Sequence, residues 1–295
     1  MLNNIINFEY EYQSSSSNKI EERFKINFNP VTRPPMSWKE EVKNTTLRIA
    51  ALTDKPLLLC LSGGIDGEVI AKTFLENNIP FSVITAAHVN STNSHDTVWA
   101  DAFCKKHNIE QHIVYLDVVD FLNNKIPEYR EQGYRSRSIF RYFQLFLFET
   151  AKKMDSCAIL GGREPSYTTI NNKICLTLGP EFTLGVDWCK NNNTINFPYF
   201  YLQNPEIMAA YMKEDIIECM LANPDYFKNV KFNESLEKIL VYSKYYQNMP
   251  RRDKFFGFEP MQKQYDQFWE DSKKIYPDLL NIHIPVDKIK TELGI

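Results

Sequence analysis

Residues 56–68, PLLLCLSGGIDGE, join an unbroken apolar run to a glycine-rich turn. An apolar run of strand length, without alternation, is the mark of a strand buried on both faces. The pattern predicts a strand over 56–62 and a helix from about Asp66 to Asn77. Between them, Gly63 and Gly64 permit a sharp turn and let backbone N–H groups approach a ligand without an intervening Cβ. Ser62 can add a hydroxyl donor. The helix start adds unsatisfied N–H groups and about half a positive charge. Together these form an anion cradle suited to phosphate.

The same alternation continues outward. FSVITAA (81–87) reads as a second strand before a helix around 96–108. HIVYLDV (112–118) is a third strand, before a long helical stretch around 134–154, and CAILGG (157–162) a fourth, ending in a glycine pair. Apolar strands joined by helices imply an α/β fold with a doubly wound, mainly parallel sheet covered on both faces. Ligands bind such sheets beyond the carboxyl ends of the strands, so the turns after residues 61, 87 and 160 matter most. Upstream, FEYEYQ (8–13) and residues 22–28 alternate like the two strands of a hairpin, with SSSSNK as its loop. Ser37 and Glu40 have capping-box spacing before Trp38, Val42 and Ile49 on a helix. Downstream, ICLTL and EFTL flank Gly179-Pro180 and suggest another hairpin. Asn204-Pro205 starts a helix with Met208, Met212, Ile216 and Met220 four apart, a core stripe. The expected organisation is an N-terminal β-hairpin and helix extension (1–54), an α/β core (55–203) and a mostly helical C-terminal substrate or lid region (204–295).

Two familiar phosphate loops fail on missing residues. A Walker loop needs a lysine that does not follow here, and the dinucleotide fingerprint needs GxGxxG and an acid after the second strand. This chain has GGxxG, and that strand ends Ala86-Ala87-His88. LSGGIDGE instead resembles the SGGxDS pyrophosphate loop of the PP-loop ATP pyrophosphatase superfamily, which has a HUP-type nucleotide-binding fold. That group includes asparagine synthetase synthase domains, GMP and NAD synthetases, tRNA-thiolating enzymes and deazaguanine nitrile synthases. The resemblance runs over about 56–165, with GGREPSY (161–167) in the place of a second nucleotide loop and NMPRRDKFFGFE (248–259) in that of a later basic segment. It implies Mg²⁺-dependent cleavage of ATP between the α- and β-phosphates, with the AMP half activating an acceptor and pyrophosphate released. It implies nucleotide contacts from Ser62, Gly63, Gly64, Ile65, Asp66, Gly67, Gly161, Gly162, Arg163, Glu164, Arg252 and Lys254. Ser62 and Asp66 would be the catalytic pair. Phosphate would repel Asp66 on its own, so its natural role is to hold Mg²⁺. Gly67 stands where the family has a second serine, which costs a hydroxyl contact.

Composition sets the outer limits. A chain of 295 residues with 43% hydrophobic and 24% charged residues is an ordinary globular sequence, and a net charge of −3 speaks against wholesale attraction to nucleic acid or acidic membrane. No apolar run reaches membrane-spanning length, and the first residues lack the features of a signal peptide. The six scattered cysteines read as reduced thiols, so a cytoplasmic protein is expected. Several residues keep two readings. Gly161–Glu164 are a nucleotide loop or an exposed turn. Arg135, Arg137 and Arg141 face phosphates or solvent, and Arg251, Arg252 and Lys254 clamp pyrophosphate, touch RNA or sit in a surface turn packed by Tyr245, Tyr246, Phe255 and Phe256. His88 and His95 lie near where adenine would sit. With its first cysteine at Cys60, the chain lacks the glutaminase nucleophile of asparagine synthetases, so ammonia would come from an external donor. The zinc cluster of deazaguanine synthases and the CxxC of many thiolases are also missing. The expected function is ATP-dependent adenylation of a small-molecule or nucleobase-like acceptor. The alternatives are a nucleotide-binding protein with weak or lost turnover, motivated by Gly67, and a tRNA-modifying enzyme, motivated by residues 245–258. Nucleic acid is the less favoured partner, no membrane partner is expected, and a homo-oligomer stays open.

Overall fold

The computed structural model describes residues 6–10, 24–161, 167–223, 225–226, 236–247, 249, 261–277, 279 and 281–295. Strands β1 (Ile6–Tyr10) and β2 (Phe24–Phe28) pair antiparallel as the alternating pattern predicts, with Phe8 opposite Ile26. Helix α1 (Trp38–Ala51) follows, capped by Ser37, whose hydroxyl accepts from the Glu40 N–H at 3.3 Å. Trp38, Val42 and Ile49 are buried on one face of this helix.

The α/β core then unfolds in sequence order. It comprises β3 (Leu57–Cys60), α2 (Ile65–Glu76), β4 (Ser82–His88), α3 (Ser94–His107) and β5 (Gln111–Leu116). After a helical segment come α5 (Ile139–Lys153) and β6 (Cys157–Leu160). The four strands are all parallel in the order β5-β4-β3-β6. Chain order therefore runs outward from β3 to β5 and then crosses back to the other side of β3, which makes the end of β3 the topological switch point of the sheet. Alternate side chains serve the two layers. Leu57 and Leu59 join Val69, Ile70 and Phe74 of α2 in one core, while Leu58 joins Tyr142, Leu145 and Phe148 of α5 in the other.

Three expectations need correction. The segment between β5 and α5 is helical before residue 134: a turn at Val118–Asp120, a π turn at Phe121–Lys125 and α4 (Ile126–Glu131). Its buried Phe121, Ile126 and Tyr129 cover the second core, a job that the polar Asn123-Asn124-Lys125 hides from a periodicity reading. EFTL is not a strand. Pro180–Thr183 is a 3₁₀ turn leading into α6 (Leu184–Asn191), and proline at its start favours that. The hairpin is instead β7 (Tyr167–Ile170) and β8 (Lys173–Leu178), turned by Asn171 and Asn172, both left-handed at φ +49° and +59°. Two positive φ values match the right-handed twist of a two-residue hairpin. The methionine stripe is buried, but on two helices, α7 (Pro205–Met212) and α8 (Asp215–Leu221), separated by Lys213 and Glu214.

The C-terminal region is mostly helical, as expected, with α9 (Leu236–Tyr245), α10 (Gln262–Ile275) and α11 (Val286–Leu293). It also returns one strand, β9 (Ile282–Pro285), to pair antiparallel with β8. The six cysteines are free thiols, and among the described residues no helix is long and apolar enough to cross a membrane.

Candidate nucleotide site at the end of β3

The loop after β3 is held from below by main-chain and side-chain bonds. The Leu61 N–H donates to Ile84 O at 3.0 Å, and its carbonyl accepts the Thr85 hydroxyl at 2.9 Å. Thr85 in turn accepts from the Gln111 amide at 2.9 Å, and that amide also donates to Asp101 at 2.7 Å. A relay from α3 through β5 and β4 thus fixes where the loop begins.

The glycines of the loop divide by role. Gly63 has φ +105°, and a Cβ there would stand 2.0 Å from the Asp96 carbonyl oxygen, so the fold itself requires glycine. Gly64 caps α2 at φ −69°, ψ 151°, a conformation open to any residue, and a Cβ there would have only the Ser62 hydroxyl within reach, at 3.7 Å. Folding does not explain Gly64. A ligand brought against the bare backbone would. Gly67 is close-packed: a Cβ would be 2.9 Å from Leu61 Cδ1, and Gly161 lies directly against it, since a Cβ on Gly161 would be 3.2 Å from the Gly67 nitrogen. At Gly67, where the loop this turn resembles would have a serine, two chain segments are in contact instead. Ser62 is exposed beside this cradle, and Ile65 and Asp66 begin the helix whose free N–H groups face its start.

Asp66 does not stand alone. Its carboxylate accepts the Tyr242 hydroxyl at 2.7 Å and lies 3.2 Å from Lys238 Nζ, both from α9, while its carbonyl oxygen accepts the Tyr201 hydroxyl at 3.0 Å. Tyr201 and Tyr242 both lie near-parallel to the buried Trp38 of α1, at ring distances of 6.1 and 5.1 Å, and to each other at 6.5 Å, so the three rings form one cluster. Tyr246 adds an edge contact to the same tryptophan and exchanges a 2.7 Å hydrogen bond with Thr73 of α2. The aromatic cluster therefore ties α1 and α9 to α2, at Asp66 in its first turn and at Thr73 further along. Sequence reading missed Lys238, Tyr201 and Tyr242. They lie 135 to 176 positions away, and only their apolar surroundings mark them.

A second feature lies at the carboxyl ends of β4 and β5, where His88, Thr92, Leu116, Asp117, Val119 and Met261 line a shallow pocket. Asn93 closes the turn beside it, accepting from the His88 N–H and donating to the Ala86 carbonyl, both at 2.9 Å. His88 bonds Thr92 through Nδ1 at 2.7 Å. Burial, and then the neighbouring His95, push the His88 pKa down, which favours a neutral imidazole.

Of the other expected site residues, Gly161 packs on the loop, while Gly162, Arg163, Glu164, Arg252 and Lys254 lie outside the described residues, as do Arg251, Phe255 and Phe256. The three arginines of 135–141 are engaged by aromatic rings and main chain. Arg135 stacks on Tyr276, Arg137 donates to the Tyr276 carbonyl at 2.8 Å, and Arg141 donates to the Tyr199 hydroxyl at 2.8 Å. Tyr245 and Tyr246 are turned inward, on Glu214 and Thr73. Among the described residues no cluster of three or more His, Cys, Asp or Glu could hold a metal. Mg²⁺, however, keeps most of its water and takes one or two carboxylates beside phosphate oxygens. Asp66, with 29% of its side chain exposed at the mouth of the cradle, fits that share.

Residues 41–163 match the family model described as asparagine synthase. The matched stretch contains the loop Ser62–Gly67 at the switch point of the sheet. No curated protein matches the sequence. Solved structures similar to the chain include NMN synthetase from Francisella tularensis (13% identity, 88% of this chain and 94% of that one, TM-score 0.35). NH3-dependent NAD synthetase from Campylobacter jejuni is also similar (15% identity, 80% and 95%, TM-score 0.32). So is the U34-tRNA thiolase NcsA from Methanococcus maripaludis (14% identity, 87% and 77%, TM-score 0.35).

Proposed function

We propose that this chain is a Mg²⁺-dependent ATP pyrophosphatase-type enzyme that adenylates a small-molecule or nucleobase-like acceptor and releases pyrophosphate. The observation that carries the reading is Gly64, a glycine the fold does not need at a helix start that presents free N–H groups. The N–H groups from Gly64 to Asp66, with the Ser62 hydroxyl, would bind and orient the β- and γ-phosphates as the leaving group. Asp66 would hold Mg²⁺, which neutralises charge on the departing pyrophosphate. Positioning and charge neutralisation supply the catalysis, so no protein nucleophile is required. Before Asp66 takes a cation, Lys238 must leave it, because two positive charges cannot share one carboxylate at low cost. The pocket beside His88 would receive the nucleoside end of ATP, and the helices of 204–295 would close the acceptor side.

The test is purified chain with Mg²⁺ and α-labelled ATP, with and without a metabolite pool. AMP that vanishes in Asp66→Ala supports the proposal, and ADP in place of AMP overturns it. A second reading, nucleotide binding with little turnover, is favoured by Gly67 and by the ion pair that occupies Asp66. ATP binding without AMP under any acceptor pool would select it.

A further inference from the structure

β5 is an edge strand: among the described residues it pairs with β4 on one side and with no strand on the other. Its direction of pairing is visible in the ladder. The Val83 N–H donates to Glu110 O at 2.9 Å and the Val89 N–H to Leu116 O at 3.0 Å, so even-numbered residues of β5 turn their main chain to β4. Gln111, Ile113 and Tyr115 therefore direct theirs outward. Natural edges are blunted by proline, inward charge or bulges. This one instead exposes Ile113 (46%) and Tyr115 (69%), the latter the most exposed large apolar side chain among the described residues. Val98 of α3, 54% exposed, lies along the same side, because the neighbouring Asp101 reaches Gln111 from that flank of the helix.

We propose that this edge is the interface of a twofold dimer, in which β5 of two copies pairs antiparallel about Val114 to make one continuous eight-stranded sheet. The register follows from the strand itself. With Val114 on the axis, Ile113 faces Tyr115 of the second copy and Tyr115 faces its Ile113. Both are outward-directed residues that can exchange two main-chain hydrogen bonds per pair. An aromatic residue opposite a β-branched one is a favourable cross-strand pair, and the twofold makes it twice. Charge agrees with that direction. Exposed Lys105 and Lys106 stand where α3 leads into β5, and exposed Asp117 and Asp120 stand where β5 ends. Antiparallel pairing sets the basic end of one copy beside the acidic end of the other. Glu110 on the basic end lies 3.6 Å from His112 of its own strand. A parallel partner or a shift by one residue would lose this match, which is why a second copy is the occupant that fits.

The test is sedimentation equilibrium of the full chain, with Ile113→Lys and Tyr115→Lys as variants. Both side chains are exposed, so the monomer fold should survive. The expected result is twice the chain mass for the parent at high concentration, and dissociation constants raised at least about tenfold in each variant. Register is read separately by Val114→Cys in a Cys219→Ser background. Opposed residues at a non-hydrogen-bonded pair sit about 4.5 Å apart at Cα, within disulfide reach, so mild oxidation should give a covalent dimer. Ile113→Cys, opposite a tyrosine, should not. A parent that stays monomeric at every concentration, lysine variants that dimerise as well as the parent, or cross-linking through 113 instead of 114 would each overturn the proposal.

Discussion

Three glycines within five residues carry three different burdens, and substitution separates them. Gly63→Ala forces a Cβ into the Asp96 carbonyl at a left-handed φ, so it should cost about 3 kcal/mol of folding stability, read as a drop in urea midpoint. Gly64→Ala should cost under about 1 kcal/mol, because the conformation is ordinary and only helix capping is affected. Its effect should fall on ATP instead, weakening calorimetric affinity by about tenfold or more, since the methyl fills the space that phosphate needs. Unchanged affinity in this variant would mean that the bare backbone is not what holds the nucleotide. Gly67→Ser tests the weak-turnover reading, but its Cβ must first displace Leu61 Cδ1, a side chain 2% exposed. Stability should fall by about 1–2 kcal/mol through overpacking, and AMP formation should rise if the missing hydroxyl limits turnover. These roles were only half legible in the sequence. SGGID reads as a tight strand–helix turn by its composition, yet nothing in the letters says that the Asp96 carbonyl requires Gly63 while the space beside Gly64 stays open.

At the level of elements, β3 and β6 were readable because burial on both faces leaves no polar positions to confuse the period, whereas β5 reads the same way although Ile113 and Tyr115 are exposed. The helical stretch after β5 was not readable, since its buried Phe121, Ile126 and Tyr129 are interleaved with asparagines and a lysine. The largest omission is α9. Its Lys238 and Tyr242 complete the surroundings of Asp66 through contacts 172 and 176 residues apart, a separation that no local pattern encodes. That helix also gives a clear expectation. If Asp66 holds Mg²⁺ as proposed, Lys238 Nζ would compete with it, so Lys238→Met should lower the Mg²⁺ concentration needed for half-maximal ATP binding by about threefold, the size of one partly exposed ion pair. A higher requirement would mean that Lys238 moves onto the nucleotide when Asp66 releases it. Tyr242→Phe serves as the structural control, removing one hydrogen bond worth about 1 kcal/mol while the ring stays stacked on Trp38.

The whole molecule is tied together by carboxylates that reach between distant segments, and these give its stability a pH dependence. Glu206 accepts both the Thr32 N–H and hydroxyl at 2.7 Å, joining the chain after β2 to α7. Glu41 takes Arg33 through both oxygens, at 2.5 and 2.6 Å, and fastens the same chain to α1. Glu149 of α5 receives Lys125, Lys153 and the Tyr129 hydroxyl, holding the helical segment after β5 against the second core. Burial alone would raise the pKa of Glu41 and Glu149, but these bonds outweigh it, lowering Glu41 and holding Glu149 down to about 2 against an ordinary value near 4.5. A carboxylate depressed in the folded state contributes its stability fully above its unfolded pKa and loses it as pH falls through the folded one. For Glu149 that window runs from about 4.5 down to about 2. Glu149→Gln should therefore be less stable than the parent at pH 7, and the gap in urea midpoint should narrow steadily across the window. A gap that stays constant down to the acid limit would show that the contact matters by its shape alone. A gap that widens would reverse the sign and place the favourable proton on Glu149 in the folded state.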